Sequence, residues 1–410
     1  MSLAEGVSAT IVYKAYASGA ITAISEDLAP SASGAQTLRR VSTSLNLQRA
    51  SYASAEIRGD RQIADMRLGV KSVTGDITGE LSPATYFDFF EAVHRGTKVA
   101  AITLTEADLT SVAASGANLT FASGDPVALG LSVGDIIRFT GMSTAANNDN
   151  NFLITGISGT GNRVLAVLPE PTSQSADTVF SLSRPGATTM PPSSSFTSRK
   201  FGIEIRHEDL DISRLLTEVR VASYSLSMPA TGMATVTVGF MGRDEVLETG
   251  AGSPYFTSPT AATTTTIVAA VNGRLVSDGV QIAVVTGATV NFSAAPEAAN
   301  VVGQDFAAEF FLGRATVTGT LSLYLQDTSF LSGFNIETEY AIILQMDCTT
   351  AANTDSIVIY MPRVKLTSAD VAVSGEGGQM VSCNFQALKY VGAGVGIPVT
   401  TIRIHDTAAS

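Results

Sequence analysis

The chain has 410 residues, of which 45% are hydrophobic and only 15% charged, with 36 Gly, no Trp and a formal net charge of −12. That length suits two or three domains, and scarce Lys, Arg and Glu beside plentiful Ala, Ser, Thr and Val point to β structure with many buried or subunit-facing surfaces. The acidity argues against a protein that grips nucleic-acid phosphates through a basic footprint, and permits one past which DNA slides.

The opening Met1-Ser-Leu-Ala-Glu5 has neither a basic nor an apolar segment, so no signal peptide is expected, and no apolar run reaches the ~20 residues of a membrane span. Folding in a cytoplasm is the expectation. Residues 1–36 read as an N-terminal arm holding one short strand at 7–13 and a Ser/Ala/Gly/Pro-rich stretch at 29–36. Residues 48–69 carry Glu56, Arg58, Asp60, Arg61, Asp65 and Arg67 with little periodicity, as a long loop or protruding hairpin does.

The next stretch alternates strictly. Val73, Gly75, Ile77, Gly79 and Leu81 share one face and Thr74, Asp76, Thr78 and Glu80 the other, which predicts a half-buried strand. Ser82 as N-cap and Pro83 in the first position then predict a helix over 83–95, stopping at Gly96. Residues 105–194 read as a small inserted β domain of short strands and turns, barrel-like in size, closed by a Pro/Ser-rich linker at 185–195. Within it, Gly156-Ile-Ser-Gly159-Thr-Gly161 precedes a strand rather than a helix, so it predicts a hairpin turn and not a phosphate loop. Segments 219–228 and 234–241 form a hairpin through Pro229-Ala-Thr-Gly232. One of its faces is polar (Ser223, Ser225, Ser227, Thr235, Thr237) and the other apolar (Tyr224, Leu226, Val236, Val238, Phe240).

The pattern then recurs. Residues 73–81 align with 317–325 at an offset of 244, and Leu45-Asn46-Leu47 with Val290-Asn291-Phe292 at 245. The hairpin aligns at 147, Thr235 and Thr237 falling on Ser382 and Asn384. Preserved order and parity predict a tandem duplication whose first copy carries the insertion. The expected divisions are 37–104 with 195–245, then 105–194, then 246–404, then a tail at 405–410.

Chemistry is sparse. His94, His207 and His405 are scattered, and no metal-ligand spacing, nucleophile elbow or phosphate loop occurs. Asp76 and Glu80 stand about 13–14 Å apart along a strand, too far for paired acid–base work. No catalytic, cofactor or metal residue is assigned. Cys348 and Cys383 fall in the apolar parity and read as buried small hydrophobes.

Leu38-Arg-Arg-Val-Ser42, Leu45-Asn-Leu47, Ala55-Glu-Ile-Arg58, Asp60-Arg-Gln-Ile63 and residues 73–83 together resemble the tail-tube proteins of long-tailed, non-contractile bacteriophages. The resemblance continues through Phe201-Gly-Ile-Glu204, Ser225-Leu-Ser-Met-Pro229, Gly239-Phe-Met-Gly242 and the second copy, and it leaves out the inserted domain. It implies an all-β fold with minor α: two tandem tube-type β-sandwich or barrel domains, each with a short helix. It also implies a virion tail subunit assembled in the host cytoplasm into stacked rings, here trimers of pseudo-six-fold symmetry, through which DNA passes. The partners it implies are tape-measure, tail terminator and distal tail proteins. Under it the lumen face comprises Thr74, Asp76, Thr78, Glu80, Ser223, Ser225, Ser227, Thr235, Thr237, Thr318, Thr320, Ser322, Asp370, Ser382 and Asn384. Residues 48–69, with Glu297 and Asp305 in the analogous 294–308 segment, become inter-ring contacts. Another β-rich virion component, such as a terminator, decoration or adhesin-like subunit, is the alternative.

Overall fold

A computed structural model describes residues 5–17, 29–159, 163–372 and 376–410. Among these the chain is β apart from short helices, as the composition implies. Eight strands form an unbroken antiparallel run: β1 (Asn46–Ala53), β2 (Met66–Glu80), β3 (Ile212–Pro229), β4 (Thr235–Gly242), β5 (Val285–Ser293), β6 (Thr316–Tyr324), β7 (Ser356–Ala372) and β8 (Met380–Ala387). Their hydrogen-bonded order is β1-β2-β4-β3-β5-β6-β8-β7.

The two halves of this run share one pairing scheme. Thr74 lies opposite Asn46 and Met241, as Thr318 lies opposite Asn291 and Gln386. A bulge shifts β3 against β4 between Val221 and Ser223, and another shifts β7 against β8 between Leu366 and Ser368. The bulges stand 145 residues apart (Ser223 to Ser368), not the 147 expected from sequence. A slip of two residues keeps every side chain on its own face, so alternation is blind to it. Both halves also need a glycine at one place. A Cβ on Gly75 (φ +138°) would meet the Ser44 carbonyl oxygen at 2.5 Å, and one on Gly319 would meet that of Thr289 at 2.1 Å.

N-terminal to their bulges, β3 and β7 leave the run and enter a second layer. There β3 pairs with Phe201–His207 and Asp244–Thr249, and β7 with Glu339–Asp347 and Arg403–Asp406. Bulges bend strands, and these bends let one strand serve two layers. One apolar core fills the space between and runs across both halves, from Ile77, Leu226 and Val236 to Val290, Leu321 and Phe385. Helix α1 (Phe87–His94) covers the first half, with Phe89 against Tyr13, Phe201 and Phe240 and Phe90 against Tyr224. The shorter α2 (Ser329–Asn335) lies against β7.

Several expectations shift. Helix α1 starts at Phe87 rather than Pro83, because Ala84 takes φ 63° and its N–H donates to the Asp406 carboxylate at 2.7 Å. A tertiary partner thus outcompetes the local cap. The strand expected within an N-terminal arm spans Ala9–Ala15 and pairs with Phe201–His207. Part of the arm, 18–28, lies outside the described residues. The expected tail is no tail. His405 and Asp406 are buried in a strand between β7 and Ala187–Thr189, the latter read from sequence as linker.

The inserted segment forms its own eight-stranded sheet with a separate core around Phe121, Phe139 and Leu165. Its edge strands, Gln174–Asp177 and Ile102–Thr105, do not pair, so the sheet is open where a barrel-like closure is expected. Ile102 lies opposite Arg184, and the chain therefore enters and leaves the sheet at one place.

A buried ionic cluster fastens this sheet to the C-terminal strand. Asp135 stands 2.7 Å from Arg403 Nη2, a close charge contact rather than an aligned hydrogen bond, and 3.8 Å from Arg184 Nη1. His405 beside them accepts from the Ile136 N–H at Nδ1 (3.1 Å) and donates from Nε2 to the Pro185 carbonyl (2.7 Å), which requires a neutral ring. Burial above all, and the two guanidiniums, hold its pKa down to about 4 against the pull of Asp135. Burial alone takes His94, packed at an angle against the stacked rings of Tyr224 and Phe292, down to about 3. Both imidazoles titrate near 6.5 when unfolded, so below that pH the unfolded chain binds more protons. Their contribution is whole above pH 6.5 and falls on acidification, by about 3 kcal/mol per pH unit for the two together. Asp406, whose carboxyl burial raises to about 7, works the other way below that pH and offsets about half of this loss. The thermal unfolding midpoint should therefore decline below about pH 6.5 at roughly one histidine's slope, and His405→Gln should nearly flatten it.

Candidate assembly surface

Strand periodicity places the polar positions of the paired segments of the eight-stranded run on one face. Glu80, Thr235, Ser227, Thr289, Thr320, Asn384 and Ser368 lie opposite one another in turn, a single row crossing seven strands. A neighbouring row holds Thr78, Thr237, Ser225, Asn291 and Thr318. Asp76, Ser223, Thr74, Ser322, Ser382 and Asp370 occupy the same face, and none of these side chains is buried. The alternate positions, such as Val73, Ile77, Leu226, Val238, Leu321 and Phe385, are buried almost completely.

Short side chains tie the rows laterally. Thr78 and Thr237 hydroxyls meet at 3.1 Å, Thr289 and Thr320 at 2.7 Å, and the Ser225 hydroxyl donates to Asn291 Oδ1 at 2.6 Å. Gly239 keeps the first half flat between Asp76 and Ser223, where a Cβ would meet Ser223 Oγ at 2.5 Å. The face is hydroxyl-rich and carries the carboxylates of Asp76, Glu80 and Asp370, with a cation at its margin, Lys365, opposite Gln386 in the row of Thr318. Acidic walls with small hydroxyls repel phosphate and retain water.

The hairpin of β1 and β2 projects from one end of the run and carries the charged loop. Its charges pair locally, Arg58 with Asp60 at 3.7 Å and Arg67 with Asp65 at 2.9 Å. Glu56 and Arg61 are exposed. Sequence reading passed over the apolar side chains here: Ile57 is 99% and Ile63 73% exposed. The analogous hairpin, Pro296–Asn300 with Ala307–Leu312, leaves Glu297 exposed at its base. Asp305 has a partner within the chain. It stands 3.2 Å from Lys71 Nζ, which also holds Asp244 at 2.8 Å, so it ties the second hairpin to the first half. Two further ties across the halves, Arg220 to Glu309 at 2.5 Å and Lys200 to Glu309 at 3.8 Å, have no signal in a linear pattern.

Cys348 and Cys383 are free and buried, and burial pushes their thiols up to about 12 and about 11. No cluster of His, Cys, Asp or Glu suited to a metal ion occurs among the described residues.

The subunit has one long antiparallel sheet, polar on one side and packed on the other, and among the described residues β1 and the C-terminal part of β7 each keep an unpaired edge, the feature through which β proteins associate. The chain belongs to the phage tail tube protein family, whose model matches residues 6–387. It is accordingly a structural component of a phage tail. No curated protein matches the chain.

Proposed function

We propose that this protein builds the tail tube of a long-tailed, non-contractile phage as rings of three copies, stacked head to tail around a channel for DNA during ejection. The observation that carries the proposal is the eight-stranded run with matched halves. A duplicated subunit supplies two four-stranded units, so three copies give pseudo-six-fold symmetry. Their 24 strands, spaced ~4.8 Å apart and tilted as barrel strands are, would close at a backbone diameter of roughly 45–50 Å. The polar face then lines the lumen. The charged loop at 54–65 and the tip of the second hairpin project from the end of the run and suit contact between rings. Heterologous stacking leaves the ends open to a tail terminator and a distal tail protein, and the lumen open to a tape-measure protein. Assembly would take place in the host cytoplasm.

Wall charge alternates on this reading. Asp76 and Glu80 stand where the second half has Thr320 and Tyr324, and Asp370 where the first has Ser225. The separate sheet at 102–184 belongs on the outside, since a domain of that size would block a channel.

Negative-stain electron microscopy of the purified chain should show rings or hollow tubes; monodisperse monomers at high concentration would refute the proposal. Phage carrying Asp76→Lys with Glu80→Lys should assemble tails yet eject DNA more slowly, read by dye release on receptor triggering, because the cationic wall holds phosphates. An unchanged rate would remove these residues from the lumen. Because Ile102 and Arg184 are cross-strand neighbours, a short Gly/Ser link can replace 102–184. That variant should still form tubes, thinner in projection, while melting lower, because Arg403 loses Asp135.

A further inference from the structure

The seam between the halves, β3 against β5, is a template for a contact the single chain does not make. Beyond its bulge β3 takes β5 with Ser223 opposite Ser293, Tyr224 opposite Phe292 and Ser225 opposite Asn291. The Ala294 N–H donates to the Ala222 carbonyl at 2.9 Å, which makes Ser225–Asn291 a closely spaced, non-hydrogen-bonded pair. Beside the strands, Arg220 meets Glu309 at 2.5 Å.

The corresponding edge of β7, residues 366–372, has β8 on one side and no strand on the other among the described residues, and β1 has only β2. The pairings define equivalents without recourse to sequence likeness. β7 follows β3 by 145 residues, and β5 follows β1 by 245 (Asn46 to Asn291). The second hairpin follows the first in the same way, Pro296 opposite Leu312 matching Ser51 opposite Leu68. Ser225 and Asn291 thus correspond to Asp370 and Asn46, while Arg220 and Glu309 correspond to Lys365 and Asp65. The charge complementarity survives the transfer.

We infer that neighbouring copies of this chain join through β7 of one and β1 of the next, with Asp370 opposite Asn46 and Lys365 facing Asp65 across the seam. This rests on the ring proposed above and adds its register. Burial supports it. Tyr224 and Phe292 at the internal seam are 2% and 1% exposed, whereas their equivalents Ala369 and Leu47 are only partly covered in one chain. The Asn46 amide can donate to the Asp370 carboxylate, and Lys365 can turn from Glu337, at 3.4 Å, toward Asp65. Asp65 then serves lateral closure rather than ring stacking.

Cysteine pairs test the register, since closely spaced cross-strand positions suit a disulfide and the native thiols are buried. The full chain with Asn46→Cys and Asp370→Cys, oxidised after assembly, should run on a denaturing gel as a covalent ladder ending at the trimer. The pair Gln48→Cys and Asp370→Cys, which a 147-residue offset would favour, should cross-link far less. Each single variant is the background. Rings in the microscope with the Gln48 pair dominant, or with neither pair cross-linked, would overturn the register and leave the ring intact. Absence of rings from the unmodified chain would overturn both. A second readout reverses the charges: Lys365→Glu, with the melting temperature of the unassembled chain as control because Glu337 and Glu339 stand beside it, should lower the assembled fraction roughly tenfold, and adding Asp65→Lys should recover most of it. Failure to recover removes the ion pair from the seam.

Discussion

A sheet satisfies its backbone N–H and C=O groups only where each strand has a neighbour on both sides, and that requirement governs this molecule. The two halves meet it for one another once, where β3 takes up β5. They cannot meet it at β1 and at the end of β7, which point away from each other along the run. The chain is therefore a folded unit with one seam too few. Association is the direct way to complete such a sheet, because a strand edge of this length invites pairing unless charge, proline or a covering element blocks it. Here the β7 edge shows Ser368, Ala369, Asp370 and Val371, which does little to block it.

The bulges are what make such a long sheet compatible with a packed core. Without them β3 and β7 would run straight, and the second layer would need strands of its own. The bends at Val221–Ser223 and Leu366–Ser368 let each strand pair in both layers, so the polar face and the apolar core are set by one backbone. Gly75 and Gly319 serve the same geometry, admitting the carbonyls of Ser44 and Thr289 where any side chain would collide. The recurrence of bulge, glycine and pairing at equivalent places ties the halves together more firmly than their sparse shared residues do.

Much of this was legible in the sequence, because strand parity is written directly in residue type. The alternation around Ile77, Leu226 and Leu321 separates the buried from the open face, and the Val73-Thr-Gly75 and Val317-Thr-Gly319 stretches align correctly. What parity cannot carry is position along a strand, hence the 147 in place of 145. Nor can local signals foresee long-range partners. Ser82-Pro83 is a sound helix start until Asp406, far along the chain, takes the Ala84 N–H. The burial of 403–406 was equally hidden, since Arg-Ile-His-Asp reads as a polar terminus until Asp135 and Ala187–Thr189 stand against it.

In the proposed ring, unlike halves would have an advantage that identical ones lack. In a ring of six identical units, any insertion appears six times and crowds its own neighbours. Two unlike halves would let one accept a separate sheet at 102–184 while the other keeps the plain connection, so the proposed ring of three would carry three such sheets with gaps between them. The buried Asp135–Arg403–Arg184 cluster shows that the sheet is not a loose appendage. Charges so deeply buried cost much to desolvate and hold only in one geometry, which makes them better at fixing an orientation than at adding stability. The partner they fix it to, Arg403–Asp406, pairs with β7 of the second half. The insertion enters the chain in the first half and is anchored on the second, and the two halves are held in one relative position from outside as well as by the β3–β5 seam.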